Sequence, residues 1–258
     1  MIAKIRVALA VLALSAAPLA AEDFHWQGAV AQGKAIEIKG VNGGIEASAG
    51  PGSEVEVTAV KRSRHRGRAE DVEIKVLEHT EGVTICAVYP SRGSRPNECQ
   101  PGDHGHLGAK DNDVEVSFEV KVPAGVRFVG RTVNGGIEAR DMPADASAHT
   151  VNGDVRLEAA GVAEGQTVNG EIRASLGRAD WTGALRLNTV NGGIRLELPE
   201  GTNASVRAGT VNGDISTDFP ISVQGRFSKR RLDGTIGSGG RQLELETVNG
   251  SIELKKKL

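Results

Sequence analysis

The chain has 258 residues, with 31 Lys and Arg against 33 Asp and Glu, and 34 glycines beside five Phe, two Trp and one Tyr. A net charge of −2 argues against a general nucleic-acid binder. With so few rings, a core has to be built from Val, Ile, Leu and Ala, and the many glycines point to a chain rich in turns.

Residues 1–21 read as a secretory signal peptide. Lys4 and Arg6 precede the apolar run 7–14, the small residues Ala16, Ala17, Ala20 and Ala21 follow, and cleavage is expected after Ala20 or Ala21. The run is too short for a comfortable membrane span, and no other segment approaches the roughly 18 apolar residues that one needs. Loss of Lys4 and Arg6 leaves 29 basic against 33 acidic residues, a mature charge of −4. The expectation is an exported chain, periplasmic, cell-surface or secreted, that does not span the membrane after cleavage. No Cys stands near the cleavage site and no C-terminal sorting signal is visible, so covalent anchoring is not expected.

Residues 22–125 form the next expected unit, a β-rich part with a single copy of the motif described below. Ala35–Lys39 alternates as a strand, a first Asn-Gly turn follows at Asn42, and residues 54–60, 71–77, 83–89 and 113–122 alternate again. Cys86 and Cys99 are the only cysteines, thirteen positions apart. In an oxidising compartment such a pair most simply forms one disulfide, whereas redox and thiolate–metal pairs usually show the closer C-x-x-C spacing.

Residues 126–258 are expected to be a regular repeat array. Thr-Val-Asn-Gly occurs six times, with Asn at 134, 152, 169, 191, 212 and 249, each copy followed by a variable residue and then Ile or Val. A further copy surrounds Asn42, and Leu232-Asp233-Gly234-Thr235-Ile236 reads as a degenerate one, which makes the steps from 134 onward 18, 17, 22, 21, 21 and 16 residues. One turn per unit of about twenty residues suits a β-solenoid, whose units bury their apolar faces only against neighbours and whose interior is narrow enough for aliphatic side chains alone. The fold class expected is all-β, a right-handed single-stranded β-solenoid with coils of about 16–22 residues. Asn-Gly between alternating apolar residues is also a hairpin signal, so an antiparallel meander is the rival. It needs a second, unmarked turn in every unit.

In the solenoid reading Asn-Gly supplies positive φ for a tight turn, and the Val before it and the Ile or Val three residues after Asn point inward. Ala139, Leu157, Ala174, Leu196 and Leu254 continue inward two places on. Asn42, Asn134, Asn152, Asn169, Asn191, Asn212, Asp233 and Asn249 are then expected to stack as a turn ladder of side-chain hydrogen bonds. The segment 251–254 reads as the final strand, with Lys255, Lys256 and Lys257 guarding an exposed edge.

The motif Thr-Val-Asn-Gly-[Gly/Asp/Glu/Ser]-[Ile/Val], the segment Val-Thr-Ile-Cys-Ala-Val-Tyr-Pro at 83–90 and the closing Thr-Val-Asn-Gly-Ser-Ile-Glu-Leu at 247–254 resemble bacterial exported β-strand-repeat proteins labelled putative adhesins, similar in style to adhesin-head domains. The resemblance covers nearly the whole mature chain. It implies a right-handed β-helix in the cell envelope with no established catalytic role and no binding residues to carry over.

Three patterns invite chemistry. The residues after Asn-Gly include Asp154, Glu171 and Asp214, an acidic column that could hold Ca²⁺, although turn preference accounts for them equally. Arg156, Arg173 and Arg195 fall at one position of successive units and could form an anion or glycan face, with Glu158, Glu171 and Glu197 near enough to neutralise them. His104 and His106 beside Asp103 lack further spaced ligands for zinc. The run 61–68 is the densest positive charge, but Glu70, Asp71 and Glu73 follow it directly. No G-x-S-x-G, H-E-x-x-H or P-loop is present. The reading is a non-enzymatic adhesin or cell-envelope interaction protein without cofactor, bound to a polymer or protein that the sequence does not name. A carbohydrate-processing β-helix enzyme and an envelope-stress scaffold are the alternatives.

Overall fold

A computed structural model describes residues 23–91, 95–223 and 228–257. The expected signal peptide, residues 1–21, lies outside the described residues. The described chain is all strand and turn apart from one 3₁₀ turn at Ala69–Asp71.

Each coil consists of a strand that arrives at Thr-Val-Asn-Gly and a strand that departs from it. Arriving strands stack into one sheet, in the order Ala35–Lys39, Arg127–Arg131, Ala146–His149, Ala163–Gln166, Ala184–Asn188, Arg241–Glu246 and Ala204–Gly209. Departing strands stack into the other, in the order Ile45–Ala49, Ile137–Met142, Val155–Ala159, Ile172–Leu176, Ile194–Leu198, Ile252–Lys256 and Ile215–Thr217. Neighbours within these runs are parallel and in register, so Val155 lies beside Ile172 and Ile172 beside Ile194. That is a β-solenoid, and it rules out the meander, whose neighbours would be antiparallel.

Period-two alternation places Ile137, Ala139, Val155, Leu157, Ile172, Ala174, Ile194 and Leu196 between the sheets, all buried. Opposite them the arriving strands carry small residues at Ala146, Ala148 and Ala163 and larger ones at Leu185 and Leu187. Both ends are capped by antiparallel strands. Glu115–Val122 pairs in parallel with Ile45–Ala49 and antiparallel with Val55–Arg62, which in turn pairs with Phe24–Gly28. The Asn42 coil therefore stacks directly on the Asn134 coil, and residues 50–125 close the end beyond it.

At the other end the order in space departs from the order in sequence. The Asn column runs 42, 134, 152, 169, 191, 249, 212, so the C-terminal coil is inserted between the Asn191 and Asn212 coils. Asn191 and Asn212 share the column but are not neighbours. Asp233 is not in the column: it lies within the strand Arg231–Ile236, antiparallel to Ala204–Gly209, because this segment turns back to cap the end. The lysine guard fails for the same reason. Ile252–Lys256 has a parallel partner on each side, and Lys255 and Lys256 reach Asp218 and Glu200.

Candidate interaction face along the turn edge

The repeated turn is held by a division of labour among its four residues. In all six full copies the Thr is buried and its hydroxyl donates to a glycine carbonyl of the adjacent coil, as Thr167 does to Gly153 and Thr189 to Gly170, both at 2.9 Å. The backbone N–H of Asn donates to the Val carbonyl of the same adjacent coil, for example Asn191 to Val168 at 2.8 Å. The Asn side chain donates to the next Asn oxygen, giving an exposed amide ladder with links of 2.8 to 2.9 Å from Asn134→Asn42 to Asn212→Asn249.

The glycine answers to stacking more than to dihedral angle. No Asn of the motif has positive φ, and Gly153, Gly170, Gly192, Gly213 and Gly250 do not need it either. A Cβ on Gly192 would instead strike the backbone carbonyl of Gly170, and the same collision recurs down the column.

The Val points outward. Val151, Val168, Val190 and Val248 are 38–39% exposed and Val211 is 56% exposed, while Val133 is half-buried and Val41 is covered. This corrects the inward assignment. The arriving strand alternates through Leu185, Leu187 and Thr189 on the inner side, so strict period two sends Val190 out. The edge thus presents a valine stripe beside an amide stripe, both repeating once per coil.

The departing sheet's outer face holds Arg156, Arg173 and Arg195 side by side in register. Each carries a carboxylate: Glu138 at 3.2 Å from Arg156, Glu171 at 2.8 Å from Arg173, and Glu197 at 3.2 Å and Glu253 at 3.4 Å from Arg195. Glu138 is also gripped by Arg140, which, with Arg156, holds its carboxyl below the usual range. Such exposed pairs contribute little stability, but they leave the guanidinium row largely neutralised. In the acidic column, Asp154 accepts the Glu171 N–H at 2.8 Å and Glu171 faces Arg173. Among the described residues no group of three or more His, Cys, Asp or Glu is arranged to hold a metal ion. The basic run is likewise tied locally, Lys61 to the Val72 carbonyl, Arg64 to Glu115 and Arg68 to Asp71.

Cys86 and Cys99 are bonded and buried. The loop beyond Cys99 lies over the outer face of the arriving sheet, where Lys39 donates to the carbonyls of Gln100, Gly102 and His104 at 2.8 to 3.0 Å. Burial lowers the Lys39 pKa, partly offset by Glu37. Glu37 is itself buried, and accepts from Thr84, the Gly102 N–H and Arg131. Sequence alternation has no way to announce this ammonium cage, because its acceptors are loop carbonyls about sixty residues away.

On the same outer face, burial raises the Glu164 carboxyl above its ordinary value; Arg186 opposes the shift and Asp145 adds to it. A raised carboxyl pKa stabilises the fold below the unfolded value near 4.5, and that contribution is lost as pH rises through the folded value. Glu164→Gln, which resembles the protonated acid, should match the parent's Tm near pH 4 and exceed it near pH 7. A variant melting below the parent near pH 7 would refute the desolvation account.

Residues 131–255 match the sequence profile of the Toastrack DUF4097 family. No curated relative matches the sequence. Among solved structures, a "putative cell adhesion protein" from Clostridium sporogenes ATCC 15579 is similar at 12% identity and a TM-score of 0.46, over 92% of this chain and 100% of that one. A "putative adhesin" from Bacteroides fragilis NCTC 9343 is similar at 9% identity and a TM-score of 0.28, over 92% and 97% of the two chains. Another from Parabacteroides distasonis ATCC 8503 shows 10% identity and the same TM-score of 0.28, again over 92% and 97%.

Proposed function

We propose that this is an exported, non-enzymatic β-solenoid that binds an extended polymer or protein of the cell envelope along its Thr-Val-Asn-Gly edge. The observation that carries the reading is the exposure of the motif valines at one position of successive coils. An isolated exposed apolar residue is ordinary, but a stripe repeated at the coil spacing is a continuous apolar surface of the kind that marks an interaction site. The stacked amides beside it add donors and acceptors at the same repeat, so a linear partner laid across the coils meets the same contact at each one. The guanidinium row on the next face is a weaker candidate for an anion or glycan, because each member already holds a carboxylate. Export agrees with the signal peptide read from the sequence and with the bonded cysteines.

The test is binding of the mature chain to immobilised envelope polysaccharide, peptidoglycan and lipopolysaccharide, compared with a V151K/V168K/V190K variant. All three positions face solvent, so the fold should survive. Binding should fall by about tenfold or more, since each lysine places a hydrated charge where apolar contact is needed. Equal binding by the variant would exclude the valine edge as the contact face. Release of soluble fragments from a polymer would instead favour the carbohydrate-processing alternative.

A further inference from the structure

We infer that the C-terminal coil is exchangeable between copies of this chain, so that residues 241–257 of one molecule can fill the slot of another. The chain builds the Asn191 coil and crosses through residues 199–203. It then lays the Asn212 coil one place further along and caps it with Ile221–Val223 and Arg231–Ile236. Only afterwards does it return to fill the place left between them. Both walls of the slot are therefore complete in sequence before residue 241. Until the last coil arrives, four strands face the slot with unpaired backbone edges, a template for any chain that offers a matching strand.

What the slot recognises is contained in the inserted segment. On one side Gly192 N–H donates to the Asn249 carbonyl, Ile194 N–H to Ser251, Asn249 Nδ2 to Asn191 Oδ1 and the Thr247 hydroxyl to the Gly192 carbonyl. On the other, Gly250 N–H donates to Asn212, Ile252 N–H to Asp214, and the Thr210 hydroxyl to the Gly250 carbonyl. Leu243, Leu245, Ile252 and Leu254 complete the core. The same segment from a second copy makes every one of these contacts unchanged.

The connection is suited to opening. Ala204 pairs with Ile236 on one side and with Arg241 on the other, so residues 237–240 must step across a whole strand within four residues. Three of those four are glycines, at φ 57°, 75° and 105°. A short, glycine-rich connection that reverses across a strand is the arrangement that favours exchange of an identical element between protomers. In the swapped form the hinge no longer has to turn back over Ala204–Gly209. Reciprocal exchange closes a two-fold dimer, and one-way donation makes an open chain of copies.

Glu197 and Lys255 are register partners across the slot, and both are partly exposed. Full-length mature E197C and K255C chains, unfolded and refolded together at high concentration without reductant, should give an intermolecular disulfide between the two introduced thiols, identified by peptide mass spectrometry. Its yield should exceed that of an E197C and K34C mixture by at least about tenfold, because a seated coil holds the two thiols at millimolar effective concentration. The E197C/K255C double variant, oxidised as a folded monomer before the denaturation and refolding step, should stay monomeric by light scattering while the parent forms dimers or larger species. A cross-link yield no greater than the K34C control, or a parent that remains wholly monomeric, overturns the inference.

Discussion

Gly192→Ala should destabilise the protein by roughly 3 kcal/mol or more, among the larger single-substitution effects expected in this chain. The added methyl meets the Gly170 carbonyl carbon and oxygen and the Glu171 nitrogen, all of them backbone, so no side chain can swing away to admit it. The same carbonyl accepts the Thr189 hydroxyl, and Gly192 N–H donates to Asn249, so a shift large enough to make room breaks bonds on both sides of the coil. Gly209→Ala is the control. It lies in the Asn212 coil, on the far side of the C-terminal coil that Gly192 also borders, but an added Cβ there meets nothing within 4 Å, and its φ is not left-handed. Urea unfolding should separate the two by most of the predicted difference. A Gly192→Ala variant within about 0.5 kcal/mol of the parent would show that the coils can part without loss and that the stacking account of the glycine is wrong.

The repeat in Thr-Val-Asn-Gly is sufficient to identify parallel coils, because one marked turn per twenty or so residues leaves a meander without its second turn. It misleads about which way the motif residues face. Reading hydrophobicity puts Val190 inside and leaves Thr189 without a role, whereas counting alternate positions back along Leu185 and Leu187 puts Thr189 inside and Val190 outside. Parity outweighs polarity here because the Thr hydroxyl finds a carbonyl to pair with, which removes most of the cost of burying it. Asn-Gly signals a positive-φ turn, but the same dipeptide is demanded by close backbone approach, and sequence alone does not separate the two causes.

The insertion of the last coil is not legible either, for a physical reason. Every coil offers its neighbours the same backbone bonds, the same amide and the same threonine, so the motif specifies that coils stack but not in which order. Order is fixed by the connections. Residues 237–240 carry the chain from Arg231–Ile236, already outside the Asn212 coil, back across the single strand Ala204–Gly209 and so into the slot. Asp233 resembles one more turn of the column because Leu-Asp-Gly-Thr-Ile preserves the motif's spacing. It lacks the Thr and Asn that tie a turn to its neighbours, and its carboxylate instead pairs with Arg231 and Arg207 along a strand.

Cys99→Ser should cost about 3 kcal/mol, the chain-entropy value for a loop of this length, and should also expose chemistry that the loop now hides. The carbonyls that cage Lys39 belong to Gln100, Gly102 and His104, immediately after the bonded cysteine, so the disulfide determines whether those acceptors stay in place. With the bond removed, the ammonium loses its cage while Glu37 and Arg131 keep each other. Lys39 should then be acetylated by a water-soluble ester at a rate approaching that of exposed Lys34, where in the parent it is protected. A competing tie exists, since Asn97 binds the Tyr89 and Gly108 carbonyls and accepts from the Gly108 N–H. If Asn97 alone holds the loop, Cys99→Ser will lose stability but keep Lys39 protected, and Asn97→Ala will uncover it with the disulfide intact. Measuring Lys39 acetylation in both variants by mass spectrometry assigns the loop to one anchor or the other, and protection retained in Cys99→Ser overturns the disulfide's role as the clamp.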